Sequence, residues 1–282
     1  MDAPETKVAI VGMAGRFPGA ADLSSFWTDV LRTGREGITH FDENGPPPTA
    51  APDEDATWVP AYGRLAHSAW FDHEFFDVSP AEARRMDPQH RLFLECAWTA
   101  LEDAAIDVPS FDGYASVYAS SSENAYAEHV EADLGSPSAL QNYAIGLGNN
   151  RDFLATRVGY KLDLRGECLT VQSACSSSLG AVHLACQSIL TGQSDLAIAG
   201  GVSVGADMTA DTRTGYWSEE GFITSPDGHC RPFTEAARGT VPGEGVGVVI
   251  LKPLLDAIDN QDRIYGVVSG SSLNNDGNRK VG

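Results

Sequence analysis

Short apolar runs alternate with amphipathic stretches along most of the chain. The runs are rich in β-branched and small apolar residues, which predicts buried strands. They lie at residues 7–13, 114–119, 168–172, 195–200, 246–251 and 264–268. Between several of them, apolar positions recur with the period of a helix, at residues 24–31, 91–103, 150–160 and 179–190. Strands that alternate with helices in this way predict an α/β fold.

Capping residues and turn formers mark the ends of several elements. Asp22 is placed to cap the first helix and Gly34 to end it, and Ser79 followed by Pro80 predicts another helix start. Residues 43–57 hold four prolines among mostly small or acidic residues, which predicts a surface loop. No internal repeat of roughly 20 to 50 residues is present, so a repeat architecture is excluded.

The chain is acidic and long enough to bury a substantial core. It has 282 residues, 42% of them hydrophobic, and 39 acidic against 19 basic residues give a formal charge of −20. This charge argues against nucleic acid as a partner and repels acidic lipids and acidic carrier proteins at long range. We expect any acidic partner to bind at a local basic patch.

The cysteines and the N-terminus indicate where in the cell the protein is expected. Five cysteines, an odd number without CxxC spacing, indicate neither a disulfide framework nor a zinc module, and they favour a reducing, cytoplasmic setting. No apolar run approaches the roughly 20 residues that a membrane span needs, and the N-terminus is acidic, unlike a signal peptide. We therefore expect a cytoplasmic protein with no membrane partner.

Cys175 is the candidate nucleophile. It lies where the predicted strand 168–172 turns sharply into a helix, among the free N–H groups of the helix start. The positive end of the helix dipole favours a thiolate there, and the same N–H groups can hold an oxyanion during acyl transfer. The alternative is a small buried residue with a packing role. We assign that role to Cys96 and Cys186, which lie in apolar helical patterns.

The sequence gives weaker support for metal ligands, a catalytic histidine or paired catalytic carboxylates. His183 and Cys186 provide only two metal ligands at helical spacing, so we expect no metal site. His183 is also about 12 Å along the helix from Cys175, too far for a hydrogen bond. His229 lies in a glycine-rich turn and receives no catalytic role. The adjacent pair Glu219 and Glu220 does not support a glycosidase, because neighbouring side chains point in different directions.

The segment 171–179 around Cys175 resembles the active-site signature of β-ketoacyl synthases, in which the cysteine accepts the growing acyl chain. Other segments, in the expected order, are similar to ketosynthase domains of modular type I polyketide synthases. They are residues 9–19, 75–80, 86–91, 199–203, 225–233, 243–247 and 274–277. The resemblance covers essentially the whole chain.

The resemblance implies a thiolase-like fold with αβαβα layers, in which two similar halves pack together and two subunits form a homodimer. Residues 1–253 would form the N-terminal half, which carries the nucleophile, and residues 254–282 the start of a truncated C-terminal half. The strand at residues 168–172 would lie at or near the subunit contact. Because the last predicted strand needs a layer to cover it, we expect a chain that stops before the enzyme is complete.

The resemblance also implies the chemistry. Cys175 would be acylated from a carrier-protein thioester, and a malonyl-type extender would lose carbon dioxide and attack that acyl group in a decarboxylative Claisen condensation. The substrates are carried on the phosphopantetheine of an acyl carrier protein, and no cofactor is bound directly. Two histidines of the missing C-terminal half normally assist decarboxylation. Phe233 matches a family phenylalanine that helps gate the acyl pocket.

Two other functions stay open. The chain can be a catalytically silent half that acts as a structural or carrier-docking piece, although chain-length-factor relatives commonly replace the nucleophile with glutamine and Cys175 is retained. A relative that transfers or cleaves acyl groups without elongation is also open, because the absent histidines decide between these reactions. Exposed apolar surface on such a half predicts poor solubility or obligatory association.

Overall fold

A computed structural model describes residues 6–42, 50–124, 126–205 and 214–279 of the chain. Part of the predicted proline-rich loop, residues 43–49, lies outside the described residues. The described remainder of that segment holds bends and a turn at residues 52–55 before a short strand begins at Thr57.

Ten strands lie in the described residues. They are β1 (Val8–Arg16), β2 (Thr39–His40), β3 (Thr57–Val59), β4 (Ala61–Tyr62), β5 (Ala115–Ser121), β6 (Cys168–Thr170), β7 (Leu196–Ser203), β8 (Tyr216–Ser218), β9 (Gly245–Pro253) and β10 (Gly266–Val268). Six of these form the central sheet in the order β10–β1–β9–β7–β5–β6, and two small antiparallel pairs, β2–β4 and β3–β8, lie outside it. Within the central sheet β5 pairs in parallel with both β6 and β7, and the other pairs are antiparallel.

Eight α-helices lie in the described residues. They are α1 (Leu23–Ser25), which continues as a π-helix (Phe26–Leu31), α2 (Pro80–Arg85), α3 (Pro88–Asp103), α4 (Tyr126–Leu134), α5 (Ala139–Asn149), α6 (Phe153–Lys161), α7 (Ser177–Leu190) and α8 (Leu254–Asp259). Short 3₁₀ turns occur at Val108–Ser110, Ala174–Ser176 and Gly277–Arg279. Over the same residues, no helix combines the length and the apolar character that a bilayer crossing requires.

The sheet has a hydrophobic core on each face. On one face α3, α6 and α8 pack through residues such as Phe93, Leu154 and Ala257 against the strands. On the other face α7 packs alone among the described helices, through Ala181, Ala185 and its neighbours. This mixed sheet with helices on both faces agrees with the α/β expectation from the sequence.

Strand β7 explains why α7 lies so close to the sheet. Its alternating side chains direct Leu196 and Ile198 into the core beneath α3, and Ala197 and Ala199 towards α7. Side chains one carbon long let the helix backbone approach the strand closely. The N-terminus of α7 is thereby fixed against the sheet.

The predicted strands and helices are present, with shifted ends. The helix predicted at 150–160 is α6 and begins at Phe153, and the strand predicted at 168–172 is β6 and ends at Thr170. Helices α4 and α5 were not predicted. In α5 the apolar Leu140 and Tyr143 are exposed while Ile145 is buried, so apolar residues do not mark a single face of this helix.

Candidate functional site

A cavity of about 890 Å³ opens beside Cys175. Several segments distant in sequence bound it: Phe17 just after β1, the residues at and after the end of β5, the turn before α7, the end of β7 and the start of β9. The central β5 and β7 run parallel, so their carboxyl ends meet at the same edge of the sheet. That edge faces the cavity.

Four of the motifs identified in the sequence converge on this cavity. They are the segments at residues 9–19, 171–179, 199–203 and 243–247, each of which contributes lining residues. The segments 75–80, 86–91, 225–233 and 274–277 contribute none of the lining residues. The motifs therefore fall into a group that forms the cavity and a group with other roles.

The turn that carries Cys175 is held by its serines. The Ser173 N–H donates to Ser177 Oγ at 2.8 Å, and Ser177 Oγ–H in turn donates to the carbonyl of Ala174 at 2.7 Å. Ser176 Oγ–H donates to the carbonyl of Ser173 at 2.8 Å. Ala174 has a left-handed φ of 52°, which costs a non-glycine residue on the order of 1 kcal/mol. The serines thus stabilise a strained turn directly before the thiol.

Cys175 is exposed at the cavity and lies in the 3₁₀ turn Ala174–Ser176 that precedes α7. The residue at the start of α7, Ser176, makes no side-chain cap to the first turn of the helix. First-turn N–H groups without intrahelical acceptors are donors for an anion, and the helix dipole adds to this effect. The arrangement can hold a thiolate or the oxyanion of an acyl-transfer intermediate.

The surroundings of the other cysteines differ. Burial raises the pKa of the Cys96 thiol to about 12 and that of Cys186 to about 11, consistent with the packing roles assigned to both. Cys168 is half-buried, and desolvation raises the pKa of its thiol as well. Cys230 is exposed, and its Sγ accepts a hydrogen bond from the Val241 N–H at 3.2 Å. Among the five cysteines, Cys175 alone lines the cavity.

A close approach of β7 and α7 depends on Gly201. A Cβ at this position would lie 2.6 Å from Ser120 Oγ and 2.9 Å from Ser178 Cβ, both shorter than real Cβ contacts. Ser120, Ser178 and Gly201 all line the cavity. The absence of a side chain at Gly201 therefore sets the distance between the sheet edge and the helix that follows Cys175.

Gln89 supports the cavity from behind. This buried residue lies at the start of α3, in the segment 86–91, and its Oε1 accepts hydrogen bonds from Ser122 N–H at 3.1 Å, Ser122 Oγ–H at 2.7 Å and Val204 N–H at 3.4 Å. Ser122 follows β5 and Val204 follows β7. Gln89 thus joins the ends of β5 and β7, two of the strands that bound the cavity.

The residues beside Gln89 are buried ionisable groups. Burial raises the pKa of Asp87 to about 6, although hydrogen bonds from Gln89 and the charge of Arg91 oppose the rise. Burial, with the positive charge of Arg157, lowers the pKa of His90 to about 3, so this imidazole is neutral at physiological pH. Arg157 Nε donates to His90 Nδ1 at 3.3 Å.

Glu244 joins two further segments at the cavity wall. Its carboxylate oxygens accept hydrogen bonds from the Leu65 N–H at 3.0 Å and from the Gly205 N–H at 3.2 Å. Arg151 and Glu123 place opposite charges along the same cavity. The sequence reasoning did not identify Gln89, Glu244 or Arg151 individually, because no local spacing pattern predicts that these residues meet.

Three other residues discussed from the sequence, His183, His229 and Phe233, lie outside the cavity lining. His183 Nδ1 pairs with Ser271 Oγ at 2.8 Å, and His229 Nδ1 lies 2.8 Å from Glu36 Oε2; neither histidine lines the cavity. Phe233 has a φ of 60° and is fully exposed, outside the set of lining residues. Its role in substrate binding stays a prediction.

Comparison with known proteins identifies the family. A family model for the N-terminal domain of β-ketoacyl synthases matches residues 5–257. A phenolphthiocerol/phthiocerol polyketide synthase of Mycobacterium tuberculosis is 47% identical over 293 residues, which cover 100% of this chain and 19% of that protein. The polyketide synthase PksL of Bacillus subtilis is 36% identical over 289 residues, which cover 98% of this chain and 6% of that protein.

Solved structures of ketosynthases support the same family. Ketosynthase twelve from the bacillaene polyketide synthase of Bacillus amyloliquefaciens superposes with a TM-score of 0.87 at 36% identity, covering 99% of this chain and 49% of that one. The ketosynthase from module 1 of the bacillaene synthase of the same species gives 0.83 at 33% identity, covering 100% and 48%. The chain spans about half the length of these ketosynthases and a fifth or less of the two polyketide synthases. The predicted resemblance is confirmed: the chain belongs to the β-ketoacyl synthase family, and its fold is thiolase-like.

Proposed function

We propose that this chain is the nucleophile-bearing part of a ketosynthase of polyketide biosynthesis, and that Cys175 accepts an acyl group from a carrier-protein thioester. The observation that carries the proposal is the position of Cys175, exposed in a cavity of about 890 Å³ at the uncapped start of α7. Among the five cysteines it alone has this setting.

The loading step follows from that position. The Cys175 thiolate attacks the carbonyl carbon of the thioester, and the electron pair of the C=O bond moves to oxygen. Backbone N–H groups at the start of α7 stabilise this oxyanion. Its collapse breaks the bond to the sulfur of the carrier's phosphopantetheine, which leaves as a thiolate and takes up the proton that Cys175 released. The result is an acyl-cysteine and a free carrier thiol.

The condensation step requires the complete enzyme. A malonyl-type carrier thioester loses carbon dioxide, and the resulting carbanion attacks the acyl-cysteine carbonyl, so that the new carbon–carbon bond forms and the Cys175 thiolate leaves. We place the two histidines that assist decarboxylation in a C-terminal half, which residues 254–282 would begin. The match of the family model at residues 5–257 is compatible with the proposed boundary at residue 253. Gating of the acyl pocket by Phe233 belongs to the same proposal.

The proposal includes a homodimer through β6. This strand is at the edge of the central sheet, pairs only with β5 among the described strands, and leaves Leu169 about half exposed. An open edge of this kind can pair with a second strand. The exposed Leu179 of α7 supports a covering C-terminal half.

Intact mass measurement after incubation with an acyl-carrier thioester tests the loading step. We expect the wild-type chain to gain the mass of one acyl group and Cys175→Ala to gain none, because the alanine variant has no nucleophile in the cavity. Cys230→Ala is the matched control, since it removes the other exposed thiol and should load like the wild type. Circular dichroism establishes that each variant is folded.

Carbon dioxide release, followed in the same reaction with a malonyl thioester, separates loading from condensation. Loading without carbon dioxide release by this chain supports a nucleophile-bearing part that needs its second half. Acylation that persists in Cys175→Ala would overturn the assignment. A folded wild-type chain that is never acylated would favour the alternative, a silent structural or carrier-docking piece.

A further inference from the structure

A cluster of three potential metal ligands lies outside the cavity lining. Glu36, His40 and His229 each offer one ligand atom, and the three atoms lie within 4.8 Å of one another. Glu36 Oε2 is 2.8 Å from His229 Nδ1 and 3.6 Å from His40 Nε2. Two imidazoles therefore direct a nitrogen towards the same carboxylate oxygen.

The donor set suits a divalent cation, and the two distances to Glu36 Oε2 are close to those between ligands of one ion. Zinc prefers nitrogen from histidine and oxygen from carboxylate, and ligand atoms about 2.0–2.1 Å from a tetrahedral ion lie roughly 3.4 Å apart. The two distances at Glu36 Oε2 lie on either side of that value. The imidazole rings of His40 and His229 are tilted by 37° with centroids 4.7 Å apart, so they can converge on one point without stacking face to face.

The backbone holds both halves of the cluster in place. His40 is the last residue of β2, which pairs with β4. His229 follows Gly228, whose φ is 76° and where a Cβ would lie 2.8 Å from Ala61 Cβ and 3.2 Å from the His40 ring. Only glycine lets the turn pack this closely against His40. The turn is therefore pressed against the strand pair that carries the other ligand.

Hydrogen bonds fix the turn itself. The His229 N–H lies within hydrogen-bond distance of Ser225 Oγ, at 3.3 Å, and of Asp227 Oδ1, at 3.2 Å. Both carboxylate oxygens of Asp227 accept from Arg231 Nη1, at 3.0 and 2.8 Å. The carboxylate of Asp227 thereby offsets the positive charge of Arg231 near Glu36. The chain's formal charge of −20 attracts cations in addition.

We propose that Glu36, His40 and His229 bind one divalent cation of the zinc type, through Glu36 Oε2, His40 Nε2 and His229 Nδ1, with water completing the coordination. The ion joins the segment 36–40 to the turn at residues 225–231. This inference is independent of acyl transfer, and it differs from the sequence expectation of no metal. Local spacing could not reveal the site, because His229 is 193 residues from Glu36.

Zinc binding to the purified chain tests the proposal. Isothermal titration with zinc chloride in the Cys175→Ala background removes the cavity thiol as a competing ligand. We expect one zinc per chain, and His40→Ala and His229→Ala should each weaken the affinity by about tenfold or more, because each removes one of three protein ligands. Glu36→Gln should also weaken it, since the amide is neutral. Circular dichroism checks the fold of every variant.

Two control variants make the result decisive. His129→Ala removes an exposed histidine of α4 outside the cluster and should bind zinc like its parent. Cys230→Ser removes the thiol next to His229 and should also leave the affinity unchanged. Zinc affinity that is equal in the parent, His40→Ala and His229→Ala would overturn the proposal. Loss of binding in Cys230→Ser would overturn the assigned ligand set. A thiolate-to-metal absorption band of the Co²⁺-loaded chain would do the same, because it would show a cysteine ligand.

Discussion

The turns that carry Cys175 and Cys230 resemble each other locally and differ in what surrounds them. Both thiols are exposed, and a non-glycine residue with left-handed φ lies close by in each, Ala174 at 52° and Phe233 at 60°. Cys175 faces a cavity bounded by the ends of four strands, whereas Cys230 Sγ accepts a backbone hydrogen bond and lines no part of that cavity. Exposure is therefore common to both thiols, and the convergence of distant backbone segments is what distinguishes Cys175.

Cys175 differs from Cys230 in the backbone segments around it, and we expect Gly201→Ala to disturb those segments and acyl loading the most. The added Cβ would meet Ser120 and Ser178 at distances that no real contact shows, so α7 and the thiol before it must move. Because a displacement of about 1 Å can cost roughly 100-fold in rate, we expect acyl loading to fall by about that factor. Time-resolved intact mass measures the loading rate.

Gly146→Ala is the matched control for that variant. A Cβ at Gly146, in α5, meets no atom within 4 Å. Its loading rate should equal that of the wild type. Equal rates in Gly201→Ala and the wild type would show that the close approach of β7 and α7 does not position Cys175.

The second prediction concerns the support behind the cavity. Gln89→Ala removes the acceptor of the half-buried Ser122 N–H and of the buried Val204 N–H. We expect the free energy of unfolding to fall by about 3 kcal/mol, measured by urea denaturation. Gln187→Ala, at an exposed position of α7, should change it by less than about 0.5 kcal/mol. A similar loss in both variants would contradict the role of Gln89.

The third prediction is a pH dependence that arises from His90. Its pKa is about 3 in the folded chain and 6.5 in the unfolded reference, so the unfolded chain binds more protons below pH 6.5. The stability that His90 contributes is complete above pH 6.5 and is lost as the pH falls towards 3. From pH 7 to pH 5 the loss is about 2 kcal/mol.

Comparison of the wild type with His90→Gln isolates that contribution. Asp87 acts in the opposite direction, because its raised pKa of about 6 makes its contribution fall as the pH rises through 6. Both proteins contain Asp87. At each pH, the unfolding free energy of His90→Gln is subtracted from that of the wild type, and the change in this difference between pH 7 and pH 5 reports His90. If the stability difference between the wild type and His90→Gln is the same at pH 7 and pH 5, the buried neutral imidazole is not the cause of any acid sensitivity.

The smallest effect is expected from Ala174, the strained residue before Cys175. Ala174→Gly relieves the left-handed φ but increases the entropy of the unfolded chain, so the unfolding free energy should change by less than about 1 kcal/mol. Ala105→Gly, at a φ of 54° in the turn after α3, should change it by a similar amount. Only Ala174→Gly should slow acyl loading, severalfold, because only this turn holds Cys175. Equal loading in the two variants would show that the strain has no positioning role.

Much of the fold could be predicted from local patterns. Runs of apolar residues predicted the central strands, and the caps Asp22 and Ser79 mark real helix starts. Helices α4 and α5 were not predicted; in α5 the exposed Leu140 and Tyr143 are mixed with the buried Ile145, which weakens the periodic signal. Helix α8 follows directly after β9 and is six residues long, too short to show a period.

The candidate site was only partly predictable. Cys175 could be singled out as a candidate because strand, sharp turn and helix are adjacent in sequence and the segment resembles a known signature. Gln89 and Glu244 could not be assigned individually, because their hydrogen bonds join residues 33 to 179 positions apart. His229 illustrates the same limit: the sequence placed it in a turn, but its partners lie near residue 36.

The sequence by itself determined the α/β class and the family and singled out Cys175 as the candidate nucleophile, because these depend on periodicity and on contiguous motifs. The tertiary structure decided which motifs share a cavity, how closely α7 approaches the sheet at Gly201, and which ionisable groups are buried. The physical reason is that these features depend on contacts between segments that meet only when the sheet forms.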